Sequence, residues 1–203
     1  MKKEMKEILV GTVIGLLGGV LALVAPVRIA GSEKSEQVPV VNGEKSWTEF
    51  QSVAGKCKMQ FPTIPEHVSE KMSIPEEGYE MSYDAYISAS ERESMFMLLI
   101  AQYPDFVDES YAQMSLETFL NGILTHNPTN QLIFADLSLV QGHEALDFFI
   151  RTGSVYFKGR AMMVKNSLYL MAMECEMQNY EEEHFNRFVN SFELLVLEGG
   201  ITQ

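Results

Sequence analysis

Acid–base or metal chemistry in this chain would have to start from four histidines, His67, His126, His143 and His184. A general base or a metal ligand works only against a partner within hydrogen-bond reach. The four are isolated from one another in sequence, which reads as loop and cap positions. The densest polar group is Glu181-Glu182-Glu183-His184. Glu174 or Glu176 could join it around Ca²⁺ or Mn²⁺, hard cations that take several oxygens. Consecutive helix residues point in different directions, however, and glutamates in a first helical turn already complement the helix dipole. Met95/Met97 and Met171/Met173 are M-x-M pairs whose thioethers would suit Cu(I). A spacing of two in a strand puts both on one face, where methionine packs a core.

Cys57 and Cys175 are the two cysteines. An oxidising compartment would permit a disulfide, but both fall in apolar, strand-like segments where a free thiol packs as a small core residue. The chain has no G-x-S-x-G elbow, no H-E-x-x-H pair and no C-x-x-C motif. The expectation is therefore no catalytic residue, no cofactor and no defined set of metal ligands.

The elements that must position these residues follow from periodicity. Lys56–Phe61 alternates strictly, with Cys57, Met59 and Phe61 on one face, and stops at Pro62. Strands are expected at 67–74, 79–88 and 95–103, the last nearly all apolar and so central to a sheet. Leu116, Phe119, Leu120, Ile123 and Leu124 mark a helix over 110–125, with Ser110 and Gln113 as its capping box. Strands at 132–140, 144–152, 155–164 and 168–177 follow, joined by turns at Gln141-Gly142 and Asn166-Ser167, an antiparallel meander. Asn179 is expected to cap a last helix, with Glu182 three residues on and Phe185, Phe188, Val189 and Phe192 as its buried stripe. A closing strand spans 193–197. The fold class predicted is α+β, a mainly antiparallel sheet with two covering helices.

Before this domain, Ile8–Val27 is an uncharged apolar run of 20 residues. At 1.5 Å per residue a helix of that length spans roughly 30 Å, the hydrocarbon thickness of a bilayer. The candidate cleavage sites, Leu23-Val24-Ala25 before Pro26 and Arg28-Ile29-Ala30, are poor, so residues 1–30 read as a retained anchor or uncleaved signal. Lys2, Lys3 and Lys6 precede the run, which places the large domain outside the cytoplasm. Gly11, Gly15 and Gly19 recur along one stripe, a surface on which a second anchor helix could pack. Residues 31–46 read as a linker and 47–203 as one domain.

Charge narrows the partners. Residues 1–30 hold four Lys/Arg and two Asp/Glu, leaving 11 basic and 26 acidic residues beyond them. Such a surface repels nucleic acid and anionic lipid.

Gly55-Lys56-Cys57-Lys58-Met59-Gln60-Phe61-Pro62 with Pro65, and later Asn166-Ser167-Leu168-Tyr169 and Phe188-Val189-Asn190-Ser191-Phe192, together resemble the PsbP-like superfamily over residues 47–197. The resemblance implies a central antiparallel sheet packed between helices. It also implies a non-catalytic binding scaffold. Family members include an extrinsic lumenal photosystem II subunit that helps retain calcium and chloride, a partner of a small nuclear-transport GTPase, and many exported or anchored bacterial proteins without known activity. The matched positions are turn and core residues, so no functional residue carries over, and photosynthesis is not implied.

The expectation is a single-pass membrane protein with an extracytoplasmic PsbP-like domain that recruits or stabilises another envelope protein. A small-ligand or divalent-metal binder and an envelope hydrolase with an unfamiliar site are the alternatives.

Overall fold

The computed structural model describes residues 47–74 and 79–195. Its centre is set by two strands that are apolar on both faces, β5 (Met95–Gln102) and β9 (Ser167–Glu176). In β5, Met95, Met97, Leu99 and Ala101 enter one core, while Phe96, Leu98 and Ile100 enter another. β9 divides likewise, Leu168, Leu170 and Ala172 against Tyr169, Met171, Met173 and Cys175. A strand covered on both sides has no need of polar alternation.

The remaining strands are β1 (Thr48–Ser52), β2 (Cys57–Phe61), β3 (Glu66–Ile74), β4 (Tyr79–Ala89), β6 (Asn130–Val140), β7 (His143–Thr152), β8 (Val155–Val164) and β10 (Glu193–Leu194). The helices are α1 (Ala112–His126) and α2 (Glu182–Asn190). A seven-stranded, wholly antiparallel sheet runs in the order β3-β4-β5-β9-β8-β7-β6. Its first core lies under α1, which contributes Leu116, Phe119, Leu120 and Ile123. Its second lies under α2 and a three-stranded sheet, β1-β2-β10. The predicted α+β class and meander are thus observed, with one correction of layout. A small sheet shares one face with α2, where the expectation was helix alone. β1 was not anticipated, because only Ser52 of its five residues is fully buried and its alternation is faint.

Four boundaries differ from expectation for local reasons. The first helix begins at Ala112, because Asp108 caps a preceding 3₁₀ turn (Glu109–Tyr111) by accepting from the Ser110 backbone N–H at 2.8 Å. Gln113 instead bonds Glu117. Asn179 ends a second 3₁₀ turn, and Glu181 holds the N-cap position of α2 with no side-chain cap bond. The β8–β9 turn lies at Lys165-Asn166, one residue early, with Lys165 at φ 55°. β10 pairs only Glu193 and Leu194 with β2, and residues 196 and 197 fall outside the described region. The Gln141-Gly142 turn is as expected, with φ 53° and 86°, the left-handed pair a two-residue hairpin demands.

Gly159 shows how closely the first core is packed. A Cβ there would lie 2.5 Å from Cζ of Phe148, a ring with no exposed surface. Gly159→Val is therefore expected to destabilise the domain by about 2–3 kcal/mol, and Phe148→Leu should restore part of that loss in the double variant. Urea unfolding of the four proteins checks it; additive losses would refute the contact.

Candidate functional site: an aromatic and ion-paired face beside the second helix

The small sheet and α2 leave part of the central sheet uncovered over β7 and β8. Alternation turns Asp147, Phe149 and Arg151 of β7 and Tyr156, Lys158 and Arg160 of β8 onto that face. The antiparallel register sets Asp147 opposite Arg160 and Phe149 opposite Lys158. Direct opposition brings side chains within contact range. Arg160 accordingly donates two bonds to Asp147, at 2.7 and 3.0 Å.

Lys158 is the centre of the face. Its Nζ donates to both Glu182 carboxylate oxygens, at 2.6 and 2.8 Å, and to the Tyr180 hydroxyl at 3.1 Å. It also lies 4.8 Å from the Phe185 ring centroid, 5.2 Å from Phe149 and 5.8 Å from Tyr180. A cation among ring faces is attracted by their quadrupoles. The Tyr180 hydroxyl donates in turn to Glu182. Phe149 stacks on Tyr180 at 5.2 Å, and Tyr156 meets both edgewise, at 4.8 and 5.4 Å. Burial would raise the Glu182 carboxyl, but the bonds from Lys158 and Tyr180 outweigh it and hold the group below its ordinary value. Burial, then the Glu182 bond, push the Tyr180 phenol up.

Lys158 is answered by Glu182 and Arg160 by Asp147, while Arg151 donates to the amide oxygen of Gln131, so the face offers aromatic area ringed by fixed polar groups. That composition suits recognition and supplies no free acid, base or nucleophile. Lys158→Met keeps the stem but removes the charge. It is expected to cost about 1–2 kcal/mol by urea unfolding at pH 7, from lost charge-assisted bonds and ring contacts. That loss should shrink as pH falls and Glu182 becomes protonated. An unchanged midpoint at pH 7 would contradict the assignment.

The residues singled out from sequence lie apart from this face or are already engaged. His67 pairs with Asp84 at 2.7 Å and stacks on Tyr86, His143 bonds Glu109 at 3.1 Å, and His184 bonds Glu181 at 2.7 Å. His126 closes α1, exposed, near the negative end of its dipole. The glutamate run is dispersed, because Glu181 also binds Arg92 while Glu182 turns to Lys158. Glu174 and Glu176 alternate with Cys175 and so leave β9 toward the α1 side, away from α2. Among the described residues, no three of His, Cys, Asp and Glu come together as metal ligands. Met95 and Met97 pack under α1, whereas Met171 and Met173 pack on the opposite side of the sheet.

Cys57 and Cys175 are both free and fully buried in the α2-side core. Burial pushes their thiols up, Cys57 to about 12 and Cys175 to about 11, where the nucleophilic thiolate is scarce at neutral pH. Gly11, Gly15, Gly19 and the whole Ile8–Val27 run lie outside the described residues. Among the described residues, no helix is long and apolar enough to cross a membrane.

Two features went unread in the sequence. One is a cleft of about 430 Å³ between the β4–β5 turn and the second 3₁₀ turn, lined by Arg92, Glu93, Gln178, Asn179, Tyr180 and Glu181. It shares Tyr180 with the aromatic face. The other is the burial of Glu174, named above only as a possible metal ligand: it is only 6% exposed, and its carboxyl is raised to about 7 by burial and, secondarily, by Glu176. The signal was present, since Glu174 is the one acid inside an otherwise apolar run, Leu168–Cys175.

The fold is α+β, a central antiparallel sheet with a helix on each face, and its α2 side carries the aromatic, ion-paired face around Lys158. No family model matches the chain, and no curated protein matches it in sequence. Its structure is similar to the solution structure of cyanobacterial PsbP (CyanoP) from Synechocystis sp. PCC 6803, with a TM-score of 0.51 and 11% identity. The match covers 75% of this chain and 95% of that one. At that identity it is the fold that is shared.

Proposed function

We propose that this protein is a membrane-tethered, extracytoplasmic accessory module that binds another envelope protein and has no catalytic activity of its own. Ile8–Val27 would be the tether and residues 31–46 the spacer. The observation that carries the reading is the face around Lys158, where Phe149, Tyr156 and Tyr180 form a pre-ordered aromatic surface flanked by the Lys158–Glu182 and Arg160–Asp147 pairs. Interfaces concentrate their binding energy in such aromatic anchors surrounded by a polar rim. The surplus of acidic residues beyond the anchor favours a partner with a basic surface, through faster encounter more than tighter binding. Similarity to PsbP supports an accessory module at the level of fold.

The test is site-specific photocrosslinking in membranes, with the photoreactive group at Tyr156. One dominant heteromeric adduct is expected, absent when the group is at Glu117 on the opposite side of the sheet. Equal adduct patterns from both positions would end the proposal. The 430 Å³ cleft beside Tyr180 favours a second reading, a small-ligand binder. Native mass spectrometry of the detergent-purified chain separates the two, because a retained ligand adds a discrete mass.

A further inference from the structure

The two edges of the central sheet are protected very differently. β3 carries Glu66, Glu70 and Lys71, charges of the kind that keep an edge from pairing with another chain. β6 carries one charge, Asp136, along its whole length, in a protein of net charge −13. It exposes Leu132, Ile133, Phe134 and Leu139, the last at 70%. A bulge between Leu132 and Phe134 interrupts the ladder, and from Phe134 to Val140 the strand is regular.

That regular run is self-complementary. In an antiparallel pair related by a two-fold axis, opposed side chains lie on the same face, so the axis must pass beside a single residue. Phe134–Val140 is symmetric about Leu137. Centring there opposes Phe134 to Val140 and Ala135 to Leu139, and sets Asp136 against Ser138 twice over. Centring on Asp136 would oppose two carboxylates. Centring on Ser138 would oppose Asp136 to Val140. Among the described residues, Ser138 Oγ is the one buried side-chain N or O atom without a hydrogen-bond partner. The Leu137 register sets the Asp136 carboxylate opposite Ser138, where directly opposed Cβ atoms lie about 4.5–5.5 Å apart.

From these observations we infer that β6 is the edge through which two copies of this chain join, antiparallel and centred on Leu137, into one continuous sheet. The partner is a second copy because the same short run supplies both halves of each polar pair. Two acidic domains repel elsewhere, so added salt strengthens the dimer by screening.

The experiment uses the full chain in membranes, carrying Gly15→Leu so that the anchor's glycine stripe does not itself hold copies together. Two differently tagged copies, one Asp136→Cys and one Ser138→Cys, are co-expressed and oxidised; the native thiols are buried and stay silent. A mixed-tag disulfide dimer is expected at several-fold the yield of Asp136→Cys with itself, or of Ser69→Cys on the β3 edge with itself. Equal yields, or crosslinks only to other proteins, would overturn the inference. Leu139→Lys provides the second readout, since Leu139 is exposed and its replacement spares the fold. Sedimentation in detergent should show a dimer for the Gly15→Leu chain, strengthened by salt, and a monomer once Leu139→Lys is added. A monomeric parent across the accessible concentration range would refute the dimer.

Discussion

Phe188→Ala is expected to destabilise the domain by about 3–5 kcal/mol, the range for emptying a fully buried aromatic site. The Phe188 ring has no exposed surface, and its centroid lies 5.2 Å from both Phe61 and Phe96 and 6.4 Å from Trp47. Those rings belong to β2, to β5 and to the segment leading into β1, so this one side chain of α2 ties the small sheet to the central one. A domain of ordinary stability, about 5–15 kcal/mol, would lose a large share of it. Trp47 is the single tryptophan, so its emission reports directly on this contact. Urea unfolding followed by that emission should show a much lower midpoint and, before unfolding, a red-shifted native baseline. Phe134→Ala on exposed β6 is the matched control and should cost under about 1 kcal/mol. Comparable losses from the two variants would mean that Phe188 does not hold the layers together.

Glu174→Gln is expected to stabilise the protein at pH 8 by about 3 kcal/mol and to leave it nearly unchanged at pH 4. Burial raises the Glu174 carboxyl from 4.5 to about 7, with Glu176 adding to the effect. The folded state therefore binds this proton more tightly than the unfolded chain does. Between about pH 4.5 and 7 the folded form holds more protons, so stability falls as pH rises through that window. At roughly 1.4 kcal/mol for each tenfold change, the accumulated loss is about 3 kcal/mol above pH 7. The amide is neutral throughout and escapes it. Urea midpoints of parent and variant at half-unit pH steps would show the gap opening between pH 4.5 and 7 and then levelling. A gap that does not vary with pH would exclude a buried, proton-holding Glu174. The loss is specific to one face of β9, because Cys175 on the other face is already protonated at every pH in the range.

The β strands were readable wherever one local pattern decided them. Val155–Val164 was predicted to the residue, and Met95–Ala101 announced a two-sided strand by lacking polar alternation. The helix starts were misread because capping is a contest among neighbours. Asp108 caps a 3₁₀ turn ahead of the first helix, where Ser110 was expected to cap the helix itself, and Glu181 stands where Asn179 was expected. The candidate site was not legible at all. Lys158, Tyr180 and Glu182 are spread over β8, a connecting turn and α2, and only the packing of α2 on the sheet brings them to one point.

The α+β class, the antiparallel meander and most of both cores follow from the order of residues along the chain, because burial periodicity is a property of a strand or helix alone. The sequence also contained the apolar run Ile8–Val27 and the acidic balance, which are sums along the chain. Tertiary structure decided the rest. It dispersed the Glu181–His184 cluster, since Arg92 and His184 both bind Glu181 while Lys158 draws Glu182 to the sheet. It buried Glu174, and it left β6 as an edge with a single charge, Asp136. Each of these depends on which surfaces come to face one another, and the free energy of a charge or an open edge is fixed by its neighbours in space rather than along the chain.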